Sequence, residues 1–121
     1  MRSILVLSHD GNLRAAARRA LERAGCVVTT ATHGGHAALA LARGGIEVLV
    51  VENELPEGSG KVVATRLRRY YSGLAVVVMC HRRSIVPADE IALVRPFTAD
   101  DLLEGIVNAA ARQALRGATR R

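Results

Sequence analysis

Three apolar runs in this chain break off at residues able to do chemistry. Ser3–Leu7 gives way to Ser8, His9 and Asp10, Ile46–Val51 to Glu52, and Leu74–Met79 to Cys80 and His81. A thiol, imidazoles and a carboxylate brought together could activate the sulfur as a nucleophile or bind a soft metal such as zinc. Their spacing matches no recognised ligand motif. Adjacent residues on a strand also point to opposite faces, so His9 and His81 share a side with Ser8 and Cys80 only if the strands have already ended. A second feature is Gly60-Lys61, closing "VVENELPEGSGK" at residues 50–61, which invites a phosphate-binding reading. A P-loop needs glycine five residues before Gly60 and a hydroxyl after Lys61, but Leu55 and Val62 stand there. Pro56 also removes an N–H from a loop whose task is to offer them. Gly58 and Gly60 instead suit a tight turn from strand to helix.

The elements that must position these residues follow from hydrophobic periodicity. Short runs at Ser3–Leu7, Cys26–Thr30, Ile46–Val51, Leu74–Met79 and Ile91–Val94 read as strands. Several are apolar on both faces, which points to a parallel sheet covered on both sides by helices. A helical pattern runs from about Asn12 to Ala24, with Asp10 as cap and Gly25 as stop; a short one covers Ala37–Ala42 and ends at Gly44-Gly45. A third begins near Gly60, with Val63, Leu67 and Tyr70 on one face. The last follows Thr98-Ala-Asp-Asp101, a near capping box, presents Leu102, Leu103, Ile106, Val107 and Ala110, and should fade between Leu115 and Gly117. Between Cys80 and Ile91 the stretch "HRRSIVPADE" contains Pro87 and no helical apolar face, so a regular crossover helix does not fit there. One domain, 1–116, with a basic and disordered tail at 117–121, is expected.

Composition narrows the function classes. The net charge is +6, but the arginines are scattered along the chain and only three aromatics are available in all, too few to interleave with them and stack bases, so they read as solvated helix faces and nucleic acid is not the expected partner. No apolar run is long enough to span a membrane, and no leader opens the chain. Two cysteines, Cys26 and Cys80, are too few for a disulfide framework and read as reduced. A cytoplasmic location is expected. His33 and His36 read as solvated, and Tyr70 and Tyr71 as helix-end packing.

"ILVLSHDGNLR", "VLVVENELPEGSG", "VVVMC" and "VRPF" resemble, in order and register, the landmarks of the receiver domain of bacterial two-component response regulators, from Ser3 to about Arg112. The resemblance implies a flavodoxin-like, doubly wound five-stranded parallel sheet of order 2-1-3-4-5, with the fourth helix shortened or missing and the site at the carboxyl ends of the strands. It also implies where the phosphorylation machinery should stand. The phosphoacceptor aspartate corresponds to Glu52, the magnesium-binding acidic pair to Ser8 and His9, the hydroxyl residue to Cys80, the lysine to Arg95 and the aromatic switch to Ala92. Every one of these side chains is exchanged.

Magnesium requires oxygen ligands and balances the charge of a phosphoryl group in transit. With Ser8 and His9 in place of carboxylates, it should bind weakly or not at all. Glu52 reaches roughly 1.5 Å further than aspartate, which spoils an attack geometry tuned to fractions of an ångström. An Arg95–Glu52 ion pair, gripped by two hydrogen bonds, is expected to lock the pocket. The resemblance thus implies a non-enzymatic pseudo-receiver, without cofactor or metal, acting as a phosphorylation-independent interaction module. The stretch from Cys80 to Arg95 is about seven residues shorter than in the family, around two helical turns. That should expose apolar area near Ile91 and Leu93 and direct a protein partner, or a second copy in a homodimer, to the Ile91–Val94 flank or the Leu102–Ala110 helix. The competing reading is a receiver-derived pocket with thiol or metal chemistry at Cys80, His9 and Glu52.

Overall fold

A computed structural model describes residues 2–81 and 87–119. In chain order the elements are β1 (Ser3–Leu7), α1 (Gly11–Arg23), β2 (Val27–Ala31), α2 (Gly34–Ala42), β3 (Val48–Glu52), β4 (Glu54–Leu55), β5 (Gly58–Ser59), α3 (Gly60–Tyr70), β6 (Ala75–Cys80), β7 (Ile91–Val94) and α4 (Ala99–Thr119). The main sheet is parallel with the order β2-β1-β3-β6-β7. Setting aside the two-residue strands, this is the expected 2-1-3-4-5 arrangement of a doubly wound flavodoxin-like fold.

The continuous apolar runs are explained by burial on both faces. Ile4, Val6, Val48, Val50, Val77 and Met79 pack toward α1 and α4, where they meet Leu13, Leu21, Leu102 and Ile106. Their strand neighbours Leu5, Leu7, Leu49, Val51, Val76 and Val78 pack toward α2 and α3, against Leu41, Val63 and Leu67. Both layers point the carboxyl ends of β1, β3 and β6 to one rim of the sheet.

Helix starts are set by side-chain caps that satisfy otherwise orphaned N–H groups. Asp10 accepts from the backbone N–H of Asn12 and Leu13 at 3.0 and 3.2 Å. The expected near capping box is fully reciprocal: Thr98 Oγ1 accepts from Asp101 N at 3.0 Å, and Asp101 Oδ2 from Thr98 N at 2.9 Å. Helix α2 begins earlier than the apolar pattern suggests because His33, expected to be merely solvated, is its cap; its Nδ1 accepts from His36 N at 3.2 Å.

Several expectations are corrected. Helix α4 does not fade before Gly117 but continues to Thr119, taking up the first residues of the expected disordered tail. Tyr70 is not helix-end packing, being 82% exposed, whereas Tyr71 does pack against the core. Ile91 and Leu93 are not laid bare: they pack toward α4, where Gly105 faces the Leu93 side chain. The more exposed residue of that strand is Val94. Between β6 and β7 the described residues hold no helix; residues 82–86, on which part of the missing-helix expectation falls, lie outside the described set.

Candidate functional site

Strand β1 pairs with β3 through Leu7 and Val51, one residue short of Ser8 and Glu52. Because β1 ends at Leu7, the alternation that would send Ser8 and His9 to opposite faces no longer applies, and both turn toward Glu52. Glu52 ends β3 and is only 5% exposed; Ser8 is completely buried. The Ser8 hydroxyl donates to Glu52 Oε1 at 2.9 Å, the His9 backbone N–H donates at 3.1 Å, and His9 Nδ1 lies 2.9 Å from the same oxygen. A carboxylate can only accept, so Nδ1 carries the proton of that contact. One carboxylate oxygen therefore takes three donors, an arrangement strengthened by its charge.

The rest of the rim fixes this cluster. Asp10 N donates to Ser8 Oγ at 3.1 Å, and Arg14 Nη1 donates to the Ser8 carbonyl at 2.8 Å. The Asp10 carboxyl is held below its ordinary range, mainly by the backbone N–H of Leu13. The N–H of Asn12 and the charges of Arg95 and His9 act in the same direction, while burial opposes them. Gly60 has a requirement beyond a turn: a Cβ at this position would lie 2.1 Å from the Glu52 carbonyl oxygen, so the start of α3 can close over the end of β3 only with glycine there.

The expected Arg95–Glu52 lock is absent. Arg95 Nη2 lies 3.7 Å from Asp10 Oδ2 instead, and Glu52 takes its hydrogen bonds from His9 and Ser8 within its own crevice. The physical reason is reach and priority: His9 arrives with backbone and ring donors from the adjoining strand end, whereas Asp10 meets Arg95 at the rim. The magnesium ion that the receiver resemblance implies does not fit these residues. Its oxygen ligands would have to come from a neutral hydroxyl already bonded to Glu52, a single carboxylate one of whose oxygens already takes three donors, and an Asp10 carboxylate turned to cap α1.

Of the thiol or metal set, His9 and Glu52 meet, but Cys80 does not act as an exposed nucleophile. It is fully buried in the layer with Val78 and Ala92, and burial, seconded by the charge of Glu54, pushes its thiol up. An activated thiol requires the opposite shift. Among the described residues no three His, Cys, Asp or Glu side chains gather where they could hold a metal ion. His81 contributes its backbone N–H, which donates to Glu54 Oε1 at 2.7 Å. The switch position, Ala92, lies half-buried against that same layer.

Two structural groups near the rim escaped sequence reasoning. The β4–β5 hairpin, turning at Pro56-Glu57, puts Glu54 on β6's exit and Glu57 on the first N–H of α2 at Gly34. The other group is a clamp between α3 and the segment before β7, where Lys61 pairs with Asp89 and Arg68 grips Glu90 through both guanidinium nitrogens. Its signal was available: Lys61 and Arg68 are seven residues apart, hence on one helical face, and Asp89-Glu90 is an acidic doublet placed to meet them.

Solved structures of similar fold were found widely. A response regulator receiver domain protein from Clostridium thermocellum superposes with a TM-score of 0.83 at 22% identity, covering 95% of this chain and 98% of that one. The signal receiver domain of a LuxO repressor protein from Vibrio parahaemolyticus gives 0.78 at 16% identity, covering 100% and 99%. The response regulator TrrA from Thermotoga maritima, solved in complex with magnesium and a beryllium fluoride, gives 0.76 at 27% identity, covering 90% and 99%. No family model and no curated protein matches the chain. These likenesses show the receiver fold.

Proposed function

We propose that this chain is a degenerate response-regulator receiver domain, working as a phosphorylation-independent protein-interaction module in bacterial signal transduction or regulation. The single observation carrying the reading is that Glu52 Oε1, at the position that corresponds by resemblance to a phosphoacceptor, is occupied by Ser8 Oγ, His9 N and His9 Nδ1. An attacking carboxylate must have a free oxygen aligned with the incoming phosphorus. Here one of the two oxygens is spent on internal hydrogen bonds, the side chain is one methylene too long to present the other as an aspartate would, and no acidic pair stands beside it. The module has no catalytic step. Its readout is binding, to another protein or to a second copy, and its place is the cytoplasm. The Ile91–Val94 flank and the Leu102–Ala110 helix offer Val94 and Val107, both exposed, to such a partner.

The test is to incubate the protein with a small acyl-phosphate donor and magnesium, then read its intact mass. The expected result is an unchanged mass. A hydroxylamine-labile gain of one phosphoryl group would overturn the reading.

A further inference from the structure

Two exposed arginines, Arg19 and Arg23, lie beside a groove away from the Glu52 rim. Where α1 passes α4, two cavities of about 390 and 320 Å³ share Ala16, Ala20 and Ala99 and so form one continuous furrow. Its floor is apolar: Phe97 closes one end and Leu103 the other. Arg19 and Arg23 stand exposed at one end, one helical turn apart, and Arg95 at the other. Among the described residues neither Arg19 nor Arg23 has a carboxylate partner, although their neighbour Arg18 pairs with Glu22 at 3.4 Å. Of the acids nearby, Asp10 and Asp101 act as helix caps, and Asp100 stands exposed beside Ala99.

We propose that this furrow between α1 and α4 docks an acidic amphipathic helix of a protein partner, whose apolar side enters the alanine-lined floor while its carboxylates meet Arg19 and Arg23. The shape argues for a helix. From Ala16 to Ala24 is about 12 Å, two helical turns, and alanine allows a second backbone to approach closely. The charge argues for an acidic one, since two unpaired guanidinium groups flank an apolar strip and bind carboxylates in planar, two-pronged fashion. A nucleic acid would fit the cations alone: its backbone would leave the apolar floor uncovered, and the furrow's one aromatic, Phe97, is half-buried in that floor rather than set out to stack a base. The proposal rests on the interaction-module reading but not on the silent pocket, so the two fail separately.

The probe is a synthetic helical peptide with leucines at i, i+4 and glutamates on either side, titrated into the isotope-labelled full chain and followed by amide shifts. Shifts confined to residues 16–24 and 97–103 are expected. Arg19→Glu with Arg23→Glu, two exposed changes whose folding is checked by thermal melting, should weaken binding about tenfold or more and transfer preference to the lysine version of the peptide. Three outcomes would each overturn the proposal: no localised shifts, equal binding of a shuffled acidic peptide lacking the apolar stripe, or tighter binding of a short DNA duplex to the same residues. A chain that binds the peptide yet gains a phosphoryl group in the mass experiment would keep the groove and lose the silent pocket.

Discussion

Removing the Glu52 carboxylate should destabilise the whole domain, although in an ordinary receiver the corresponding acid serves chemistry. Glu52→Ala withdraws the acceptor from Ser8 Oγ, His9 N and His9 Nδ1 at once, at 2.9, 3.1 and 2.9 Å. The Ser8 hydroxyl has a fallback in the Asp10 carbonyl at 3.3 Å, and the partly exposed His9 ring can turn to water, but the His9 backbone N–H is left without a partner. Leaving a part-buried donor without a partner costs toward the lower end of about 1–3 kcal/mol, and the vacated methylenes add to it, for a total of about 2–3 kcal/mol. In a domain of 121 residues each kcal/mol moves the melting temperature by roughly 3–6 °C, so the variant should melt roughly 6–18 °C lower. Glu52→Gln keeps an oxygen acceptor and loses only the charge assistance, about 1 kcal/mol. Thermal melting by circular dichroism at neutral pH, checked by urea unfolding, measures both. If the alanine variant melts within about 1 °C of the parent, or glutamine costs as much as alanine, the internally satisfied crevice is wrong.

Other outcomes follow from the same geometry. Asp10→Ala should cost about 1 kcal/mol through loss of the α1 cap. Because the native carboxyl is depressed, that contribution is present above its ordinary range and lost as pH falls, so the gap between variant and parent should close in urea titrations taken below about pH 3.8. Native protein at neutral pH should offer a thiol reagent the partly exposed Cys26 and withhold the buried Cys80 until denaturant is added. The raised Cys80 thiol gives stability that is full below about pH 9 and declines as pH climbs beyond it, a decline that Cys80→Ala should flatten. Arg68→Met should cost about 3–5 kcal/mol by leaving Glu90, whose side chain is 4% exposed, unpaired; the Arg68→Met/Glu90→Leu double variant should recover most of that loss in a double-mutant cycle.

The alternation of short apolar runs with helical patterns was enough, by itself, to determine the sheet, its parallel sense and the two covered faces, because burial on both sides demands strands without polar alternation. The caps at Asp10 and Thr98 were equally legible, being local bonds between residues two or three apart. What the sequence could not decide is which partner each rim residue takes. Glu52, His9, Asp10 and Arg95 admit more than one pairing, and choosing among them requires knowing that β1 stops at Leu7 and swings His9 inward. The clamp of Arg68 on Glu90 and the closure of α4 over Leu93 at Gly105 were hidden for the same reason. Periodicity reports which face of an element is buried; only the assembled elements fix which atoms, distant in the chain, come within the three ångströms that a hydrogen bond allows.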